Sequence, residues 1–277
     1  MQQVLAFGVL LRKWRVRRRM TQMDLAIAAD SSTRHLSCLE TGRSRASREM
    51  VLRLCEHLAI PLRDRNTLFL AAGFAPAYQE RSVNELATAR AAIERIVQAH
   101  SPYPAYALDR HWNVVFSNGA LPQLYEGCSP ELLRRPICAV RLLLHPLGMG
   151  SRIVNYHEWR GHTVSVLQLQ IQIRPEPSIE ALLAEISSYP APSGSRMPAM
   201  ADAPISFAMP LQIATRLGVV SFLSTTTVFG TPTDVTLSEL AMEMLFPADD
   251  ATVGVVQAIV AENSEQPSQD AYFVHAG

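Results

Sequence analysis

The 277-residue chain is predicted to be mainly α-helical with a small antiparallel sheet, divided between two domains. Three observations carry this prediction. Between Thr21 and Arg43 two short amphipathic segments meet at a sharp polar turn. Between Ala105 and Asn118 two short apolar runs flank Asp109-Arg110-His111-Trp112, the pattern of a strand, a turn and a second strand. Charge, zero overall, is split along the chain. Residues 1–65 hold 13 Lys and Arg against 6 Asp and Glu, a net +7, and the remainder holds 12 against 19, a net −7. Such asymmetry is expected where the first domain neutralises phosphates and the second has another task.

The first domain reads as five helices. Val4, Phe7, Leu11 and Trp14 recur at steps of three, four and three, one face of a helix. Thr21 caps the second helix, Asp24 reaches back to it, and Leu25 with Ala28 or Ala29 turns inward. Ser32 caps the third. From it Leu36 and Leu39 fall on one side and Thr33, Arg34 and Ser37 on the other, leaving short polar groups and a guanidinium where a major groove would lie. Gly42 ends that helix as a C′ residue. Ser47 then precedes Val51, Leu54, Cys55 and Leu58, and Arg63 to Ala72 forms a fifth helix closed by Gly73. The second and third helices have the geometry of a helix-turn-helix that reads DNA. The run Arg15, Arg17, Arg18 and Arg19 either meets phosphate or forms a solvated helix end that favours the macrodipole.

Ala75-Pro76-Ala77-Tyr78-Gln79 interrupts this pattern, and Ser82 caps a connecting helix with Leu86, Ala89, Ile93, Ile96 and Val97 on one face. Ser101-Pro102-Tyr103-Pro104 stops it. After the hairpin the chain reads as helical through Leu132 and over Arg141–Leu144, breaks at His145 to Gly150, and resumes at Arg152. Val166 to Ile173 alternates with period two, which argues strand, whereas Ile153, Tyr156 and Trp159 before it have helical spacing. Two strands are expected over Ile205–Leu211 and Leu217–Leu223. Beyond the break Gly230-Thr231-Pro232, Thr236 with Glu239 makes a capping box for a helix over Leu237–Phe246. The expected boundaries are 1–75 for the DNA-binding domain, 76–104 for the connection, 105–263 for the second domain and 264–277 for a disordered tail.

With 48% hydrophobic and 18% charged residues the chain can bury ordinary cores. It has no run of about 18 apolar residues, and its first helix carries Arg12, Lys13 and Arg15 in place of a secretory segment; a soluble, cytoplasmic protein without a membrane partner is expected. Cys38, Cys55, Cys128 and Cys138 lie 17, 73 and 10 residues apart, which fits no zinc frame and suggests reduced thiols, with a redox sensor at Cys38 or Cys55 as the alternative. His157 and His162 are five apart, not the i, i+4 of a metal pair. No G-x-S-x-G, H-E-x-x-H or phosphate loop occurs, and Gly148-Met149-Gly150 lacks a third glycine and a preceding strand, so no catalytic residue, metal or obligatory cofactor is expected. The 24 arginines beside the single Lys13 fit a GC-rich genome as well as any function.

From about Phe7 to Phe74, the residues Leu11-Arg12, Thr21-Gln22, Leu25-Ala26, Ser32, Leu36-Ser37, Leu39-Glu40, Gly42-Arg43 and Ser47 give a signature that resembles the XRE family of bacterial repressors, similar to phage lambda repressor and Cro. Asp30 stands where that family usually has glycine; a left-handed Asp is tolerated there at modest cost. The resemblance implies that Gln22 grips a phosphate and buttresses the recognition helix. Arg34 is suited to a bidentate pair with guanine, Ser32, Thr33, His35 and Ser37 to further contacts, and Arg43 and Arg45 to phosphate. Glu40, repelled by phosphates, should pair locally with an arginine.

The second half carries Leu108 to Val114 with Asn118, His145-Pro146 with Gly148, Asn155, Glu158-Trp159-Arg160, Tyr189-Pro190, Phe229 to Thr236, Glu239-Leu240-Ala241 and Phe246 to Asp249. In that order, over about Leu86 to Ala261, they resemble the ligand-binding domain of MmyB-like transcription regulators. The resemblance implies a PAS-like α+β domain, a cavity for a small apolar, fatty-acid-like ligand, a homodimer, and helix from Arg152 to about Ile173. Gln168, Gln170 and Gln172 depart from that family's charged residues. On family grounds and size the cavity candidates are Tyr103, Trp112, Phe116, Leu121, Leu124, Leu142, His145, Tyr156, Trp159 and Phe222, each equally able to be plain core. His145 and Arg152 could anchor a carboxylate, although His145 before Pro146 equally suits a helix terminator. The whole implies a regulator of double-stranded DNA. Its rivals are a second domain that only mediates protein interaction, and an enzyme domain with paired titratable groups.

Overall fold

A computed structural model describes residues 6–82, 85–195 and 209–265, with the side chains of 263–265 left aside. The chain divides into two compact units, Met1–Glu85 with Gly230–Ser238, and Leu86–Phe229 with Glu239–Gly277.

The first unit holds α1 (Phe7–Arg17), α2 (Gln22–Ala28), α3 (Thr33–Glu40), α4 (Arg48–His57) and α5 (Leu62–Ala71). Each start follows from its cap. Thr21 Oγ1 accepts the Asp24 N–H while Asp24 Oδ2 accepts the Thr21 N–H, a reciprocal box, and Ser32 and Ser47 accept the N–H of His35 and Met50. Leu11, Trp14, Leu25, Leu36, Leu39, Val51, Leu54, Leu58 and Phe69 close one core, each full aliphatic burial contributing about 2 kcal/mol. Asp30 sits at φ +49°, so the turn between α2 and α3 is made with a left-handed aspartate, as expected. Gly8 has a packing reason: a Cβ there would stand 2.4 Å from the carbonyl oxygens of Leu39 and Glu40, so α1 approaches the end of α3 as only glycine permits.

The second unit opens with α6 (Ala87–Ala99) and the hairpin β1 (Ala105–Leu108) and β2 (Val114–Ser117). Then come α7 (Ala139–Leu144), α8 (Tyr156–Ile173), α9 (Pro177–Ser188), β3 (Leu211–Thr215) and β4 (Gly218–Val228). After β4 the short α10 (Val235–Ser238) belongs to the first unit. The chain returns with β5 (Ala241–Pro247) and α11 (Asp250–Glu265). The five strands form one antiparallel sheet in the order β2-β1-β5-β4-β3. Ala105, Ala107 and Met242 are buried on the face where α6 packs with Ile93 and Val97. Tyr106, Ala241, Glu243, Leu245, Ser224 and Thr226 line a cavity on the other face.

Three expectations are corrected. Leu237–Phe246 is not a helix: after α10 it becomes β5, the central strand, because Ala241, Glu243 and Leu245 alternate with Met242, Met244 and Phe246 and both edges find partners in β1 and β4. The capping box expected from Thr236 and Glu239 is replaced by Asp234, whose Oδ1 accepts the Thr236 N–H at 2.9 Å. The chain is not helical through Leu132; a 3-10 turn, Pro122–Tyr125, is followed by turns up to α7. Conversely Val166–Ile173 is helix, as the family likeness implied. Trp159, Thr163, Val166 and Gln170 turn to one side at steps of four, three and four. The expected strand from Ile205 begins outside the described residues, and so does most of the 264–277 tail.

Candidate nucleic-acid interface and ligand cavity

α3 is fixed from behind and free in front. Leu36 and Leu39, each 1% exposed, lock it into the core, while Thr33 and Arg34 are exposed and His35 and Ser37 half-buried. His35 has its Nδ1 at 3.1 Å from Ser31 Oγ, and Ser32 Oγ accepts the His35 N–H at 3.1 Å. Arg34, Arg43 and Arg45 are exposed, and among the described residues none of them forms an ion pair.

At the buried end of α3 lies a charged pair. Arg15 Nε and Nη2 donate to Glu40 Oε1 and Oε2 at 2.6 and 2.9 Å, and Gln22 Nε2 donates to Glu40 Oε2 at 2.8 Å. Their side chains are 11% and 3% exposed for Arg15 and Glu40. Burial alone would raise the Glu40 carboxyl, but the hydrogen bonds from Arg15 and Gln22 overcome it and hold the group below its usual range. α1, α2 and α3 are thus joined through one carboxylate. Gln22 serves as a buttress through its amide nitrogen.

The basic run splits by role, and neither sequence alternative covers it whole. Arg15 is consumed by Glu40. Arg18 donates to the carbonyls of Leu58 and Ala59 at 2.8 and 2.9 Å, capping the end of α4. Arg17 lies 4.8 Å from the Trp14 ring centroid. Arg19 is exposed.

In the second unit a cavity of about 540 Å³ opens between the sheet and helices α7 and α8. Its volume is that of a site for a small organic molecule. Of the cavity candidates, Trp112, Leu121, Leu124, Leu142 and Trp159 line it. The other six lie elsewhere, for identifiable reasons. Phe116 pairs with Ala107 on the α6 face, under the Arg90 guanidinium. Tyr103 packs with His100, ring centroids 6.0 Å apart. Tyr156 and Phe222 are sealed in the core at 1% and 0% exposure, the Tyr156 hydroxyl donating to the Leu144 carbonyl. His145 is the C-cap of α7, its Nδ1 accepting the Leu147 N–H at 3.0 Å and its ring edge-on to Tyr189. Arg152 Nη2 donates to the Leu124 carbonyl at 2.6 Å, bracing the wall from outside. Neither expected carboxylate anchor reaches the cavity.

Sequence reasoning missed the polar strip along the sheet. Tyr106, Ser224, Thr226 and Glu243 line the cavity from three adjacent strands, Tyr106 and Thr226 both standing opposite Glu243 in register. Glu243 accepts hydrogen bonds from the Ser224 and Thr226 hydroxyls, and among the described residues it forms no ion pair. Burial, and then the Glu243 charge, push the Tyr106 phenol up, so it keeps its proton. Opposite, Trp112 Nε1 donates to Gln170 Oε1 at 2.9 Å and Gln170 Nε2 to the Arg110 carbonyl at 2.8 Å. Gln170 therefore faces the cavity, while Gln168 and Gln172 are exposed. Trp112 adopts φ +66°, unusual for so bulky a residue, held by this chain of bonds and by the Asp109 carboxylate that accepts the N–H of His111 and Asn113. The signal that could have found the strip is the period-two order Phe222-Ser224-Thr226 and Ala241-Glu243-Leu245.

Gly148 and Gly150 do not form a phosphate loop. A Cβ on Gly148 would stand 2.2 Å from the Leu142 carbonyl oxygen, so the segment folds back tightly on α7. Among the described residues no group of three His, Cys, Asp or Glu is placed to hold a metal, and no helix is long and apolar enough to cross a membrane.

A DNA-reading helix head joined to a domain with a ligand-sized cavity is the plan of a transcription regulator, and the comparisons agree. The family described as "MmyB-like transcription regulator ligand binding domain" matches residues 89–258, and a helix-turn-helix domain family matches residues 6–68. The chain belongs to the MmyB-like transcription regulators: it is a DNA-binding regulator with a ligand-binding domain, not an enzyme. Among solved structures it is similar to the clp gene regulator ClgR from Corynebacterium glutamicum, at 26% identity over 35% of this chain and 90% of that one, with a TM-score of 0.22. No curated protein matches significantly.

Proposed function

We propose that the protein is a homodimeric regulator that reads a two-fold symmetric operator with α3 and releases or grips it according to a small apolar molecule held in the cavity of its PAS-like second unit. The observation that carries the first half is the presentation of α3. Its apolar side is locked in the core, its start is capped by Ser32, and Thr33, Arg34, His35 and Ser37 stand on the open side with Arg43 and Arg45 beyond. In this reading Arg34 pairs with a guanine edge, Gln22 donates the second N–H of its amide to a phosphate while the first stays on Glu40, and Arg43 and Arg45 neutralise phosphates. Dimeric heads engage half-sites about one helical turn, roughly 34 Å, apart, so a ligand acts by favouring one of two placements of the paired heads.

The strand order β2-β1-β5-β4-β3 supports the PAS-like reading, and the apolar bulk of the cavity wall, among it Leu108, Leu124, Val140, Leu142, Met149 and Leu211, supports an apolar, chain-like ligand of fatty-acid dimensions. A covalent path favours coupling. β4 and β5, both on the cavity wall, are joined by residues 230–238, which pack within the DNA-binding unit, where the Val235 N–H donates to the Gln79 carbonyl at 2.9 Å and Asp234 accepts from Arg81 Nε at 3.1 Å. Gel shifts against genomic fragments test the first half. Arg34→Ala is expected to weaken specific binding about 5- to 100-fold, and unchanged specific binding in both Arg34→Ala and Gln22→Ala would remove the assignment of α3. Native mass spectrometry of the purified protein tests dimerisation and bound ligand.

A further inference from the structure

We propose that the molecule this cavity takes is an apolar cation, a hydrophobic amine whose ammonium group docks on Glu243 between Tyr106 and Thr226, and not a carboxylic acid. The inference rests on the ligand-sensing reading and adds the chemistry of the polar end. A hydroxyl has one proton to give. Ser224 and Thr226 both give theirs to Glu243, so the three side chains together present lone pairs and negative charge to the cavity. Glu243 is half-buried on the cavity wall, its two hydroxyl donors are neutral, and among the described residues no cation meets its charge, so a cationic ligand group would supply the missing counter-charge.

The guanidinium and indole donors that a carboxylate would need are turned elsewhere, and the other potential donors on the lining are the Tyr106 and Tyr125 hydroxyls and the exposed His162. The Arg110 guanidinium lies between Glu176 and Glu239, at 3.5 and 3.7 Å, and Glu239 is shared with Arg174. Trp112 Nε1 is committed to Gln170, Arg152 to the Leu124 carbonyl, and His145 caps α7. A carboxylate head would therefore meet Glu243 as a like charge in a half-enclosed site. The rings of Tyr106, Trp112, Tyr125 and Trp159 line the same cavity, and aromatic faces attract ammonium groups, more so when water is excluded. The remaining wall is apolar enough to hold an alkyl or aryl body.

The test titrates the full-length dimer or monomer as purified with three probes of one chain length, dodecylammonium, dodecanol and dodecanoate, near neutral pH and below their micelle concentrations. Calorimetry or the quenching of Trp112 and Trp159 reads binding. Dodecylammonium is expected to bind at least about tenfold tighter than dodecanoate. Glu243→Gln, which keeps the shape and an acceptor for one hydroxyl, should weaken dodecylammonium about tenfold or more, leave dodecanol within roughly threefold and narrow the gap to dodecanoate. Dodecanoate binding as tightly as the amine in the wild-type protein overturns the inference while leaving the ligand-sensing reading intact. So does a Glu243→Gln variant that still binds dodecanol and keeps full amine affinity. Failure of all three probes to bind the wild-type protein sinks that reading itself.

Discussion

The buried pair behind the recognition helix yields the sharpest quantitative prediction. Replacing Glu40 with alanine leaves the Arg15 guanidinium, 11% exposed, with the Met20 carbonyl as its remaining hydrogen-bond partner at 2.9 Å and no anion. Breaking a buried pair by removing one partner costs about 3–5 kcal/mol, because the surviving charge is stranded. The lost Gln22 hydrogen bond adds about 1 kcal/mol. Against a domain stability of roughly 5–15 kcal/mol, Glu40→Ala should bring the first unit close to unfolding while leaving the second unaffected. Hydrogen exchange of the full chain, followed by mass spectrometry, separates the two: amides of α1 to α4 should lose protection, those of the sheet should not. The double change Arg15→Met with Glu40→Leu should recover most of the loss, since apolar residues of similar volume often replace a buried pair without cost.

The same pair sets a pH dependence. The Glu40 carboxyl is held below its unfolded value, so the unfolded chain binds the proton first as pH falls. Its contribution is fully present above the ordinary glutamate range and is lost as pH drops through the lower folded value; Glu40→Gln should flatten the acid limb of the first unit's stability. A cost below about 1 kcal/mol for Glu40→Ala, or a double variant no more stable than the single one, would refute the view that α3 is positioned by this charge.

Other consequences are open to measurement. Asp30→Gly should stabilise the first unit by about 0.5–1 kcal/mol in urea denaturation, because relief of the left-handed φ outweighs glycine's unfolded-state entropy, and Asp30→Val should destabilise it by at least as much. Asp234→Ala removes the carboxylate, 1% exposed, that ties Arg81 and the start of α10; operator affinity in gel shifts should persist while its response to a bound probe falls away, and an undiminished response would exclude residues 230–238 as the coupling element. The Cys55 thiol, pushed up to about 12 by burial, should resist alkylation in the folded protein while half-buried Cys38 reacts first; fast labelling of Cys55 would contradict its place in the core.

The first unit was legible because its signals are local: caps at Thr21, Ser32 and Ser47, glycines at Gly42 and Gly73, and apolar residues at helical steps. The role of the arginine run was not. Composition shows that Arg15 and Arg18 are charged, but only the fold brings Glu40, 25 residues away, and the Leu58 and Ala59 carbonyls to them. In the second unit the hairpin at Ala105–Ser117 announced itself through its turn, whereas β5 hid behind a misleading Thr236–Glu239 spacing. A seven-residue strand whose inward face includes glutamate looks like an amphipathic helix unless both of its neighbours are known. The cavity candidates went astray for a related reason: large aromatic residues mark a core, and which side of a strand faces the void depends on register, as Phe116 demonstrates, while Phe222 shares the side of Ser224 and Thr226 but is sealed within the core.

Glu40 and Glu243 set out the physical difference between a structural carboxylate and one available to a ligand. Glu40 is buried and Glu243 half-buried, and both accept two side-chain donors or more. Glu40 meets a guanidinium with matched geometry, so its charge is cancelled inside the fold and a further cation would gain little. Glu243 meets neutral hydroxyls, which satisfy lone pairs but leave the charge uncompensated, in a wall that opens on a space of about 540 Å³. A charge without a counter-ion beside a half-enclosed, largely apolar volume attracts a ligand that supplies the missing sign. Affinity then comes from the cavity's incompleteness as much as from its contacts, and the strands that would respond are β4 and β5, whose connecting residues belong to the unit that carries α3.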